Sequence, residues 1–246
     1  MNQPETNALE AGKSGEKPGL QEAVDIAREH PPRTLRLAEE IMLLLFDEAE
    51  GAFTRMPALQ RDYALAGSVL LDLTLESRID TDPERLFVLD PEPVGDDLLD
   101  PMLVRIVQSS DTHDAGHWIR QAVAQANDAF DRSAGRLVER GILERKERRF
   151  LGIRRRARYE IADAEALKPK RRVLRILSDT DIPDVRDMVL ISLADACGIL
   201  ESLLSAREFH AAAGRIDQIR NLDPVGRSVS KMLGAIRAAL AAFETS

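Results

Sequence analysis

The stretch that most limits the fold lies at 57–76, where the twelve residues after Tyr63, ALAGSVLLDLTL, carry a single charge. A helix that is apolar on every side cannot lie against water, so it belongs at the centre of a helical assembly. Gly67 in its interior costs helix stability unless another element crosses close to the backbone, and the spacing predicts a tight crossing there. A second stretch of this kind, VRDMVLISLADACGILESLL at 185–204, is expected to form another buried helix, started by Asp181 and a first-turn Pro183. Aromatic residues make up only 4% of the chain, so Leu, Ile, Val and Ala must build the core, which favours packed helices.

The remaining segments arrange themselves around these two. Thr34 is placed to cap a helix LRLAEEIMLLLFDE, with Gly51 stopping it. Residues 78–80 and 85–89 flank Thr81-Asp82-Pro83-Glu84 and read as a small hairpin. Helices are expected at 97–108, at 113–122, and onward through Leu137 to a left-handed cap at Gly141. A short basic helix at 168–177 and two amphipathic helices at 206–221 and 224–243 complete the chain, the last introduced by Asp223-Pro224. Residues 1–32 read as a flexible tail with a short helix at 20–30, and 33–246 as one domain. The class is therefore mainly α: a single globular helical domain with one protruding basic β-hairpin and a second small hairpin. No apolar run is long enough to span a bilayer, no secretory leader is expected, and a cytoplasmic location follows.

The chemistry that stands out is electrostatic. Between Glu144 and Arg158 lie eight Lys and Arg residues against only Glu144 and Glu147, in a chain whose formal net charge is -8. Two short alternating segments joined near Leu151-Gly152 place this positive island on a projecting hairpin. Such an island attracts polyanions, either a phospholipid surface or nucleic acid. Its bland reading is a solvated element whose charges prevent edge pairing. Arg154, Arg155 and Arg156 are the candidate lipid contacts. Arg149, Phe150, Leu151 and Ile153 at the tip are candidates for membrane insertion or for self-association of the 144–160 hairpin.

Taken in order, LRLAEEIMLLLFDEAEGAFT, YALAGSVLLDLTLESRI, LVERGIL leading into a hairpin, LADACGILESLL and RIDQIRNLDP resemble the Golgi phosphoprotein 3 family, as does the Trp-Ile pair of HWIRQAV. The similarity runs from about Leu35 to Ala242. It implies a helical domain with a protruding hairpin and a peripheral membrane protein that binds phosphatidylinositol 4-phosphate in a basic pocket. It also implies an adaptor for membrane-protein clients, with self-association through the hairpin and no catalysis. The family's pocket positions fall here on Pro57, Ala66, Asn127 and Phe130, none of which matches the family's Trp and Arg residues. Arg55, Arg61, Arg132 and Arg136 lie nearby and are the candidates for supplying the charge from shifted positions. The richness in Ala, Arg, Asp and Leu suggests a GC-rich bacterial genome.

Other constellations carry less. Asp111, His113, Asp114 and His117 in DTHDAGHW resemble a metal set, but no third ligand or general-base motif accompanies the two His. Asp111 and Thr112 are expected to act as helix caps instead. Cys197 sits in an apolar helix and suits packing better than nucleophilic attack, and a lone Cys excludes an internal disulfide. No phosphate loop, GxSxG or GxGxxG is present, so neither an enzyme nor a cofactor is expected. Two other classes remain: a winged-helix regulator whose wing inserts Arg into a nucleic-acid groove, and a scaffolding protein whose hairpin only makes dimers. The acidic net charge disfavours nucleic acid.

Overall fold

Ala58–Leu75 is a helix whose middle, from Tyr63 to Leu73, is shut off from water without interruption. This is the all-apolar stretch, and it sits at the centre as its composition requires. The structure is a computed structural model of the 246-residue chain. It describes residues 35–221 and 226–244, apart from 55, 83, 147, 148, 151, 152 and 155–157. At 149, 150, 153, 154, 226 and 244 only the backbone is described. In chain order the elements are α1 (Leu37–Leu44), β1 (Phe46–Asp47), β2 (Ala52–Phe53), α2 (Ala58–Leu75), β3 (Ile79–Thr81) and β4 (Leu86–Val88). Then come α3 (Asp100–Val107), α4 (Ala115–Val123), α5 (Ala126–Glu139), β5 (Leu143–Lys146), β6 (Arg149–Phe150), β7 (Ile153–Arg154) and β8 (Arg158–Ile161). A 3-10 turn, Ala164–Leu167, leads into α6 (Lys168–Leu177), followed by α7 (Val185–Ala196), α8 (Ile199–Leu203), α9 (Ala206–Asn221) and α10 (Gly226–Glu244). The chain divides into two units, Met1–Leu35 and Arg36–Ser246. The expected tail at 1–32, its short helix and the Thr34 cap lie outside the described residues.

α2 packs against α1, α4, α5, α7 and α10. The crossing expected at Gly67 is present: a β-carbon there would lie 2.7 Å from Ile236 Cδ1 on α10 and 2.9 Å from Leu193 Cδ1 on α7. A Gly67→Val substitution forces two further methyl groups into that crossing. It is expected to lower stability by about 1–3 kcal/mol, read as a lower urea midpoint at unchanged slope.

Several boundaries differ from the sequence reading for local reasons. α1 starts at Leu37, and its first amide donates to Asp72 Oδ2 on α2 at 2.8 Å, while the Arg36 amide donates to Glu39 Oε2 at 2.8 Å. α1 also stops early, at Leu44. Phe46 and Asp47 leave the helix to pair with Phe53 and Ala52, and Asp47 Oδ1 accepts from the Ala49 and Glu50 amides to close the turn. Gly51, expected to stop a helix, instead sits in this turn at φ +60°. α7 is capped by Asp184, not Asp181, through a bond from the Asp187 amide at 2.7 Å, which leaves Pro183 outside the helix. It ends at Ala196 rather than running to Leu204, with α8 following as a separate turn of helix. The expected hairpin forms as β3–β4, with Thr81 opposite Leu86 and Asp82 Oδ1 accepting from the Glu84 and Arg85 amides. α5 ends as expected at Gly141, φ +67°, where Gly141 N–H bonds Val138 O and Ile142 N–H bonds Leu137 O. Among the described residues no helix is long and apolar enough to cross a membrane.

Candidate functional site

Two arrangements of arginine decide which cations are available to a ligand. The first surrounds α1. Its first turn buries Glu39 and Glu40, and an unpaired carboxylate so placed would be strongly unfavourable. Arg136 on α5 meets this need: its Nη1 donates to Asp96 Oδ1 at 2.9 Å and to Asp97 Oδ1 at 2.8 Å, and its Nη2 lies 3.5 Å from Glu39 Oε2. Arg140 Nε approaches Glu39 Oε1 at 3.5 Å, and Arg36 Nε donates to Asp96 Oδ2 at 2.7 Å. On the other side of α1, Arg186 Nε donates to Glu40 Oε2 at 3.1 Å and its Nη1 to Asp72 Oδ1 at 2.9 Å. Arg172 Nη2 donates to Glu40 Oε1 at 2.6 Å and its Nε pairs with Asp187.

These contacts shift the carboxyls in different directions. Burial pushes the Glu39 carboxyl up, against the Arg36 amide and the charges of Arg136 and Arg140. Burial likewise raises Asp72, against Arg186 and the Leu37 amide, and Asp187, against Arg172. For Asp96 burial also acts upward, but the hydrogen bonds and charges of Arg136 and Arg36 outweigh it and hold the carboxyl below the usual range. Arg132, one turn before Arg136, donates from Nε to Asp128 Oδ2 at 2.9 Å and from Nη1 to the Asp97 carbonyl at 3.2 Å. The crevice beside it, lined by Ala66, Asp97, Asp128 and Arg132, holds only about 20 Å³, room for one water. Arg132 and Arg136 are thus brought together, but onto carboxylates. An anionic headgroup would compete there with these acidic partners.

The second arrangement is the hairpin. β5 pairs with β8 so that Leu143 faces Ile161, Glu144 faces Glu160, Arg145 faces Tyr159 and Lys146 faces Arg158. Lys146 Nζ is neutralised on its own strand by Glu144 at 2.5 Å and across by Glu160 at 3.6 Å. Farther out, β6 and β7 set Arg149 opposite Arg154 and Phe150 opposite Ile153. The base is fastened to the body through the β1–β2 turn: the Tyr159 amide donates to Gly51 O at 2.9 Å, and Arg158 Nε donates to Glu50 O at 3.0 Å. A β-carbon on Gly51 would lie 2.8 Å from Tyr159 O, so only glycine permits this join. Beneath it Phe53 packs edgewise on Phe46 at 5.6 Å and on Phe130 at 5.3 Å, and tilts against Tyr159 at 5.3 Å. Arg61 lies over the Phe130 ring at 5.8 Å while bonding Asp62 at 2.7 Å. Of the candidate contacts, Arg55, Leu151, Arg155 and Arg156 lie outside the described residues, and Arg149, Phe150, Ile153 and Arg154 are placed by backbone alone.

The histidine motif lies at the start of α4. Asp114 caps α4, its Oδ1 accepting from the His117 amide at 2.7 Å, where Asp111 or Thr112 was expected. His113 precedes the helix and stacks face to face on His117 at 3.7 Å. Among the described residues no group of three His, Cys, Asp or Glu is placed to hold a metal ion. Cys197 is buried at the end of α7, and that burial pushes its thiol up to about 12, far from a reactive thiolate. Sequence reasoning missed the paired carboxylates of α1. Adjacent Glu residues inside an otherwise apolar helix, LAEEIMLL, were the signal for them.

The sequence model of the family described as Golgi phosphoprotein 3 (GPP34) matches residues 37–236. A comparison with curated proteins finds no match.

Proposed function

Because the chain belongs to the Golgi phosphoprotein 3 family, we propose that it is a non-enzymatic peripheral protein that docks on anionic phospholipid headgroups through its basic hairpin. The observation that carries this reading is the register of β6 and β7, which sets Arg149 opposite Arg154 directly behind the apolar pair Phe150 and Ile153. Like charges directly opposite one another destabilise a ladder, and an anion between them removes that penalty. An apolar tip backed by cations suits the boundary between headgroups and acyl chains. Phosphatidylinositol 4-phosphate is the ligand suggested by the family. At Arg61, Arg132 and Arg136 it would compete with Asp62, Asp97, Asp128 and Asp96, which favours the hairpin as the main attraction. Membrane-protein clients and self-association through the hairpin belong to the same reading.

Vesicle co-sedimentation tests it. Full-length protein is expected to pellet with anionic but not neutral vesicles, and an Arg154→Ala, Arg155→Ala, Arg156→Ala variant to bind roughly a hundredfold more weakly, at about 1 kcal/mol per cation. A further preference for phosphatidylinositol 4-phosphate over equal charge would establish the family's ligand. Duplex DNA binding without pelleting would move the hairpin to the nucleic-acid class. Failure to pellet with any vesicle would remove the membrane reading altogether.

A further inference from the structure

A groove away from the hairpin runs between α3 and α4, about 480 Å³ in volume, within the size range of small-ligand sites. α3 contributes Pro101, Val104 and Arg105 to its lining, and α4 contributes His117, Trp118 and Gln121. Val104 keeps 43% of its surface exposed, whereas Met102, Leu103 and Ile106 of the same helix are buried.

Arg105 is the informative residue. The arginines around α1 each meet a carboxylate, whereas Arg105 is held by neutral amides. The terminal amide of Gln125 lies over the guanidinium face, 3.2 Å from Nε, 3.0 Å from Nη1 and 2.9 Å from Nη2, and Gln121 Oε1 lies 3.5 Å from Nη1. These neutral amides bear on the guanidinium without cancelling its charge. They also leave part of its five-donor fork unused. Across the groove the His117 ring is locked in place, stacked on His113 and meeting the Trp118 ring edgewise at 5.3 Å. A neutral imidazole still offers one N–H to an anion.

We infer that the α3–α4 groove is a binding site for a soluble organic anion, a phosphate or carboxylate joined to a flat apolar group. Arg105 takes the anionic oxygens through the free side of its fork. His117 and Gln121 supply further polar contacts, and Pro101, Val104 and Trp118 cover the apolar part. Desolvation, His113 and Arg120 hold the His117 imidazole below its ordinary value, against Asp114, and a bound anion would act in the opposite sense. This site is independent of the hairpin and needs no carboxylate to be displaced.

The chain provides its own reporter, because its single tryptophan is Trp118 in the groove wall. Titration of the full chain with phenyl phosphate and with benzoate is expected to give a saturable change in Trp118 fluorescence, with neutral benzyl alcohol at least about tenfold weaker. The tighter of the two anions identifies the acidic group. Arg105→Gln is expected to weaken the anions about tenfold or more while leaving the far-UV spectrum unchanged, and Arg105→Lys to fall between. In the unsubstituted protein the His117 ring resonances should move with the same dissociation constant, which keeps the test valid if a variant misfolds. Absence of a saturable response to either anion, equal binding of benzyl alcohol, or unchanged affinity in a folded Arg105→Gln variant would each overturn the assignment.

Discussion

Arg136→Ala is expected to lose about 3–5 kcal/mol of stability, because it leaves Glu39, which is 0% exposed, and Asp96, which is 6% exposed, without their shared cation. Of these two carboxylates the Arg140 side chain reaches Glu39 and the Arg36 side chain reaches Asp96, so neither replaces it. The pH dependence should carry a definite sign. Asp96 titrates below its unfolded range of about 3.9, so it contributes stability that is complete above that range and is lost as pH falls through its folded value. Part of that contribution is absent in the variant. Glu39, already pushed up by burial and now short of a cation, can take up a proton and shed its charge. The gap between the two proteins should therefore narrow on acidification. Denaturant midpoints at neutral pH and near pH 4 measure it, and a gap that widens towards acid would refute the account. The result also matters for lipid binding: a vesicle defect in Arg136→Ala says nothing about headgroup contact unless the variant is shown to be folded.

Asp72→Ala should cost a similar amount, about 3–5 kcal/mol, by a different route. Asp72 is 1% exposed and serves two partners at once, the Leu37 amide at the start of α1 and Arg186 Nη1 from α7. Its removal leaves a buried N–H without an acceptor and leaves Arg186 leaning on Glu40. Asp72→Asn keeps one oxygen for the Leu37 amide and is expected to cost clearly less. A double-mutant cycle between Asp72→Ala and Arg186→Met should give a coupling of about 0.5–3 kcal/mol. Additive single effects would show that Asp72 acts as a helix cap alone.

The central helix was legible because its apolarity has only one physical solution, and Gly67 marked where two other helices approach it. The hairpin at 79–88 was legible because Asp82 carries turn chemistry within four residues, and the end of α5 because Gly141 can adopt a left-handed cap. The β1–β2 ladder was not. Strands of two residues, Phe46–Asp47 and Ala52–Phe53, have no period to detect, and LLLF extends a helical pattern past its true end. The boundary of α7 slipped for a related reason: Asp181, Asp184 and Asp187 all qualify as caps, and only the folded loop selects Asp184. At the candidate site, residue type identified Arg132 and Arg136, but charge counting along the chain cannot reveal that Asp96, Asp97 and Asp128 occupy them.

The ion pairs around α1 also set an order for folding during synthesis. Glu40 is made 132 residues before Arg172 and 146 before Arg186, and Asp72 is made 114 before Arg186. At about 5–20 residues per second, Glu40 waits roughly 7–30 s for its last partner to leave the ribosome. Over that interval burial of α1 would place an uncompensated carboxylate in the core, so the N-terminal helices are held back from premature collapse. Completion of the fold becomes tied to the arrival of α6 and α7. A nascent chain stalled before Arg172 is expected to remain protease-sensitive in its first helices, and one released after Arg186 to become resistant.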